Sequence, residues 1–254
     1  MNEAGAGIFQ ASDSARVLPR RKNPTVPFYW PEWVIQREIA GQARAAIAQA
    51  SGRVLDVGCG ERPFECYRPP AVTQWIGFDV PENPVADVHG YAESMPLPDA
   101  SVDFVVCTEV LEHVSEPAHV VREIARVLRP EGRVFLTTPF YWPLHEEPYD
   151  FYRFTPHGLR HLFESAGLEI VRMDPMAAGF RVVALALNTC FNNFGKRLPW
   201  GETPPVKALF IPVYVVANVA ALVLSAIFPS SNNAVGTALL ARKPEASGET
   251  SSRA

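Results

Sequence analysis

Two carboxylates and two glycines stand in a register suited to holding a nucleoside. Val54-Leu55-Asp56-Val57 is a short apolar run that stops at Gly58-Cys59-Gly60. Glycines at a strand end let the backbone approach a ligand closely. Trp75-Ile76-Gly77-Phe78 stops at Asp79, 19 residues past Gly60. A carboxylate there can accept hydrogen bonds from both hydroxyls of a ribose. Together these elements point to a nucleoside-containing cofactor. A dinucleotide is disfavoured. In Gly58-Cys59-Gly60-Glu61-Arg62-Pro63 the third glycine of the dinucleotide fingerprint is missing, and Glu61 would face a pyrophosphate. Pro63, Pro69 and Pro70 also break the helix whose N-terminus should hold that phosphate. A P-loop is absent as well.

A second group of residues could act on a substrate. From Pro139 to Phe154 the chain collects Phe140, Tyr141, Trp142, Tyr149, Phe151, Tyr152 and Phe154 around His145, Glu146, Glu147, Asp150 and Arg153. An aromatic wall with a few convergent polar groups suits a small organic molecule. His145 has the pKa best placed for a base near neutrality. The same residues also suit a plainer task, in which His145 and Asp150 hold the loop by hydrogen bonds to backbone. His113 is the rival base. The His-Glu-Glu run with Asp150 matches no firm ligand pattern, so no metal site is expected.

The elements that must position these groups alternate in type. Val102 to Val106 and Arg133 to Leu136 are further apolar runs, ended by Cys107-Thr108-Glu109 and Thr137-Thr138-Pro139. Continuous apolar runs suit strands buried on both faces. Ile35, Ile39, Ala43 and Ile47 share a helical face, in a helix ended by Gly52. Val120, Val121, Ile124 and Leu128 predict a helix capped by Ser115, with Pro130-Glu131-Gly132 turning the chain. Thr155-Pro156 opens a helix with the stripe Leu159, Leu162, Phe163 and Ala166, ended by Gly167. Strand–helix alternation means a doubly wound α/β domain, which binds ligands beyond the strand C-termini.

Five segments, in order, resemble a known family. They are Val-Leu-Asp-Val-Gly-Cys-Gly (54–60), Gly-Phe-Asp (77–79), Ala-Glu-Ser-Met-Pro-Leu-Pro-Asp-Ala-Ser-Val-Asp (92–103), Leu-Glu-His-Val (111–114) and Leu-Arg-Pro-Glu-Gly-Arg-Val (128–134). They resemble the class I S-adenosylmethionine-dependent methyltransferases, type 11 group, over about 53–175. The resemblance implies a Rossmann-like seven-stranded sheet whose last strand is antiparallel, with S-adenosyl-L-methionine as cofactor. It implies that Gly58, Cys59 and Gly60 line the methionine part, that Asp56 orients its amino group, and that Asp79 holds the ribose. Ala92 and Glu93 fall at the adenine, and Thr108 and Glu109 beside the sulfonium. His113 takes a structural or cofactor-side role, which leaves His145 as the catalytic candidate. Where the family often has an acidic residue before Ala92, this chain has Tyr91. Segment 61–73 is too proline-rich for the family's full helix.

Composition bounds the partners. The chain has 254 residues with 23 Lys+Arg against 27 Asp+Glu, a net charge of −4. No basic excess exists to neutralise phosphates, so no nucleic-acid partner is expected. The four cysteines form no CxxC pair, so neither a disulfide framework nor a structural zinc is expected. A cytoplasmic compartment follows. The domain reading is a flexible leader at 1–24, a methyltransferase domain at 25–243 and a flexible tail at 244–254. Within the domain, 176–233 forms a hydrophobic helical insertion before the last strand.

No charge occurs between Lys207 and Arg242, and 208–228 is long and apolar enough to be a membrane-span candidate. Strands before and after it must share one sheet, which argues against a single crossing. Membrane-surface contact, a homodimer through 206–229 and burial under 177–194 remain open. The expected function is methyl transfer, by O-methylation, to a small-molecule or glycan acceptor, with peripheral membrane attachment. The competing reading is an inactive scaffold of the same fold.

Overall fold

The computed structural model describes residues 26–198 and 203–245. The expected leader and most of the expected tail lie outside these residues. Helix α1 spans Trp33–Ile47 and strand β1 Gly52–Val57. They are followed by β2 (Val72–Asp79), β3 (Val88–His89), β4 (Val102–Thr108), α2 (Pro117–Val127) and β5 (Leu128–Pro139). Then come α3 (Pro156–Ser165), β6 (Glu169–Met176), α4 (Phe180–Arg197), α5 (Pro204–Ile227) and β7 (Gly236–Arg242). The seven strands form one sheet in the order β3-β2-β1-β4-β5-β7-β6. All neighbours from β3 to β5 pair in parallel, and β7 runs antiparallel between β5 and β6. This is the expected seven-stranded doubly wound sheet.

The apolar runs explain the layers. Leu55, Val57, Val105 and Cys107 pack with Val120, Val121 and Ile124 of α2 and Leu159 and Phe163 of α3. Val54, Phe104, Val106 and Phe135 pack on the other face with Ile35, Ile39, Ala43 and Ile47 of α1 and Leu185 of α4. Alternate residues of one strand therefore serve opposite cores, which is why these strands are apolar throughout.

Local details differ from the sequence reading in three places. Gly52 does not end α1, which stops at Ile47. It opens β1 with φ +67°, and a Cβ there would meet the Asp103 carboxylate at 2.2 Å. Ser115 does not cap α2. Glu116 occupies the cap position with no side-chain bond, and Pro117 takes the first turn. Pro130-Glu131-Gly132 does not separate helix from strand, because Leu128 already pairs with Val102 and the run forms an irregularity inside β5. Thr155 does cap α3, its hydroxyl accepting from Gly158 N at 3.1 Å. In place of a full helix, segment 61–73 holds a short 3-10 turn at Glu65–Tyr67 and then enters β2 at Val72, as its prolines favour.

Between β6 and β7 the chain folds into the antiparallel hairpin α4–α5. Phe210, Tyr214, Ala217, Asn218 and Ala221 of α5 form one buried stripe. Gly195 of α4 sits so close to Phe210 that a Cβ would lie 3.0 Å from its ring. Asn188 is fully buried and donates to Asn218 Oδ1 at 3.0 Å and to Pro31 O at 3.1 Å. Asn218 donates to Phe28 O at 2.8 Å. Asn188 and Asn218 thus tie the hairpin to the body. The opposite face of α5 stays open, with Leu209 69% and Val216 67% exposed beside Val219, Val223 and Ile227.

Candidate active site

Parallel pairing puts the ends of β1, β2, β4 and β5 on one edge, so the loops after them converge. At β1, Gly58 has φ +66° and Gly60 φ +48°. Gly58 is needed twice over, since a Cβ there would sit 2.4 Å from Val110 Cγ2. In front of Gly60 there is open space. Asp79, ending β2, accepts from Gly60 N at 2.8 Å through Oδ2 and from Val80 N at 2.8 Å through Oδ1. The two sequence-predicted elements therefore meet directly.

Asn83, which the sequence reading missed, completes this clamp. Its Nδ2 donates to Gly60 O at 2.9 Å and to Asp79 Oδ2 at 2.7 Å. Its only signal was an Asn-Pro turn after the strand.

Asp56 is buried within β1 and accepts from Trp75 Nε1 at 3.3 Å. Burial pushes its carboxyl up to about 7, against the opposing pull of Trp75 and Arg62. Cys59 is buried beside it and its thiol is pushed up to about 12, chiefly by burial. It is therefore an inert lining residue, not a nucleophile. Ala92 is buried against the core and Glu93 is half-buried.

The loops after β4 and β5 are stitched together. Glu109 follows Thr108 with φ +54°, and its N–H donates to Thr137 O at 3.0 Å. Phe151 N donates to Glu112 O at 2.8 Å, and Tyr152 Oη donates to Ser115 O at 2.9 Å. Both carboxyls, Glu109 and Glu112, are pushed up, first by burial, and Glu112 further by Glu109.

Arg153 grips Asp150 with two nitrogens, at 2.5 and 2.8 Å. That pairing holds the Asp150 carboxyl well below the usual range. Asp150 Oδ2 accepts from His145 N at 3.0 Å and lies 3.2 Å from His145 Nδ1. His145 is shifted down, mainly by burial and then by neighbouring His113. His113 packs against the loop after β5: its ring centroid lies 4.7 Å from that of His145. Phe154 leaves the expected aromatic wall, because it is buried in the core. Phe140, Tyr141, Tyr149, Phe151 and Tyr152 are exposed on the loop.

A family model described as a methyltransferase domain matches residues 34–173, more than half of the chain. The chain belongs to the methyltransferase-domain family, in its class I S-adenosylmethionine-dependent branch. A Mycolicibacterium smegmatis protein named as a probable S-adenosylmethionine-dependent methyltransferase is 34% identical over 171 residues, covering 60% of this chain and 66% of the relative. A ubiquinone biosynthesis O-methyltransferase of Aeromonas salmonicida is 35% identical over 102 residues, covering 34% of this chain and 42% of the relative. The chain thus spans less than two thirds of either relative. Among solved structures, the [4+2]-cyclase SpnF superposes with a TM-score of 0.54 at 20% identity, over 82% of this chain and 81% of that one. That likeness is one of fold.

The residues present fit S-adenosylmethionine. Gly58 and Gly60 bring bare backbone to the edge of the sheet, with open space before Gly60, and Asp79 stands beside them.

Proposed function

We propose that this chain is an S-adenosylmethionine-dependent O-methyltransferase acting on a hydroxyl of a small-molecule or glycan acceptor at a membrane surface. The observation that carries the reading is the Gly58–Gly60 turn locked to the Asp79 carboxylate at the edge of the sheet. The family resemblance assigns this place to the cofactor. Asp56 takes the amino group of the methionine part, Asp79 the ribose, Ala92 and Glu93 the adenine edge, and Thr108 and Glu109 the side of the sulfonium. Bound S-adenosylmethionine supplies an electrophilic methyl group on sulfur. The protein has to align an acceptor oxygen with that methyl and shut out water, which is worth roughly 7–11 kcal/mol of barrier.

A hydroxyl acceptor must also lose its proton. His145 is the group assigned to ease that loss. Asp150 holds it in place by accepting from its backbone N–H at 3.0 Å. The exposed aromatic side chains on the same loop supply flat apolar surface for the acceptor. The O-methyltransferase among the relatives supports oxygen as the methylated atom.

The open face of α5 supports the membrane setting. An apolar patch of this length is larger than a soluble monomer leaves uncovered. Strands β6 and β7 flank the hairpin and pair with each other. A single crossing between them is therefore excluded, and our reading is that the hairpin lies along the membrane surface. Incubation with methyl-labelled S-adenosylmethionine and a panel of phenolic, sugar and lipid-linked sugar alcohols tests the function. The expected result is label on an acceptor oxygen with stoichiometric S-adenosylhomocysteine. Label on nitrogen or carbon overturns the O-methyl assignment, and binding of cofactor without transfer to any acceptor favours a scaffold.

A further inference from the structure

Three side chains with metal-ligand chemistry meet where the loops after β4 and β5 are stitched together. Glu112, His113 and His145 each bring one donor atom to within 4.8 Å of the others. Glu112 is 0% exposed, and neither of its carboxylate oxygens has a hydrogen-bond partner. Its approach to His113 Nε2 is 3.8 Å, too long for a hydrogen bond. A carboxylate buried without a partner is costly unless another group is meant to meet it.

One of the two imidazoles is fixed through its other nitrogen. His113 Nδ1 lies 2.8 Å from the Tyr149 carbonyl oxygen, so it donates there and keeps its lone pair on Nε2. His145 is held through its backbone N–H, which donates to Asp150 Oδ2 at 3.0 Å, and Asp150 is itself clamped by Arg153, while the buried His145 Nδ1 has no hydrogen-bond partner. A backbone carbonyl on the ring, as at His113, is one usual way of orienting a metal-ligating histidine.

We propose that Glu112, His113 and His145 form a binding site for one divalent transition cation of the Zn2+ class. Two imidazole nitrogens and one carboxylate suit Zn2+ and its neighbours, whereas Ca2+ and Mg2+ prefer oxygen. Three protein ligands leave a tetrahedral position open. A hydroxyl of the acceptor placed there gives up its proton to water more readily. Its oxygen then bonds to the methyl carbon as the carbon–sulfur bond breaks and sulfur keeps the electron pair. This use of the cation rests on the methyl-transfer reading; the binding itself does not.

The test uses the whole chain, dialysed against chelator and titrated with Zn2+ by calorimetry and with Co2+ by visible absorption. One cation per chain is expected, with a four-coordinate Co2+ spectrum and a Tm that rises with cation concentration. Glu112→Gln, which preserves shape, and His113→Ala should each weaken Zn2+ binding by about 100-fold or more. Asp150→Asn should weaken it by about 10–100-fold by loosening the backbone that places His145. His119→Ala, outside the cluster, should bind as wild type. Wild-type protein that takes up no cation, or equal uptake in Glu112→Gln, overturns the site. A parallel titration with S-adenosylmethionine separates the two readings: cofactor binding without cation uptake removes the cation alone.

Discussion

Replacing Asp56 by Asn should change how stability depends on pH in a direction opposite to that of an ordinary paired carboxylate. Asp56 is buried and its carboxyl rises from 3.8 to about 7 on folding. Between those values the unfolded chain has lost the proton and the folded chain keeps it. The folded state then binds more protons, so stability falls as pH rises through this window and levels off above about 7. The window spans about three pH units at about 1.4 kcal/mol each, or about 4 kcal/mol in all.

Asn keeps an oxygen to accept from Trp75 Nε1 and cannot ionise. Urea unfolding of wild type and Asp56→Asn from pH 4 to pH 8 should give curves that meet near pH 4. By pH 8 the variant should be more stable by about 4 kcal/mol. Taking the difference cancels Glu109 and Glu112, whose burial is common to both proteins. The same group links to cofactor binding. A methionine ammonium beside Asp56 favours the charged carboxylate, so wild-type affinity for S-adenosylmethionine should rise with pH up to about 7. That slope should vanish in Asp56→Asn. Parallel stability curves for the two proteins would refute the argument, since Asp56 would then ionise alike in both states.

Three further outcomes follow from other parts of the molecule. His145→Ala should lower turnover by about 10²–10⁴ with cofactor affinity near wild type; steady-state kinetics paired with calorimetry checks this, and a loss below tenfold leaves His145 a loop-holding role. Asn218→Ala strips the buried Asn188 amide of one partner and leaves Phe28 O without its donor, which should destabilise the fold by about 1–3 kcal/mol in urea titration. Val216→Asp with Leu222→Lys, on the open side of α5, should abolish flotation with anionic liposomes and leave cofactor binding unchanged; a monodisperse dimer that never floats would show that a second subunit covers this face.

Much of the fold was legible because its strands are buried on both faces. Runs such as Val54 to Val57 and Val102 to Val106 cannot be surface strands, and each stops at a residue with a task beyond the sheet. The meeting of Gly60 with Asp79 was legible for the same reason: Gly58, Gly60 and Asp79 sit at strand ends, where sequence distance converts directly to spatial order. Asn83 was not, because an Asn in a proline-flanked turn looks like any other turn residue until its two partners are placed. The pairing of His113 with His145 was hidden for a different reason. It is made by two loops 32 positions apart in sequence, joined by backbone bonds such as Phe151 N to Glu112 O, and no periodicity reports such contacts. Pro130-Glu131-Gly132 misled because turn residues inside a strand and turn residues between elements share one composition. Asn188 of α4 and Asn218 of α5 bond each other inside the hairpin, a pairing across 30 positions that composition does not report.

The central claim is that the Gly58–Gly60 turn and Asp79 bind S-adenosylmethionine. Calorimetric titration of the folded wild-type chain and of Asp79→Ala tests it most directly. Wild type should bind one S-adenosylmethionine per chain. The variant should lose about 1.5–3 kcal/mol of affinity, the range for hydrogen bonds to a charged acceptor, or roughly 10- to 150-fold. A wild-type chain that takes up no S-adenosylmethionine, or a folded Asp79→Ala that binds it unchanged, would contradict the account.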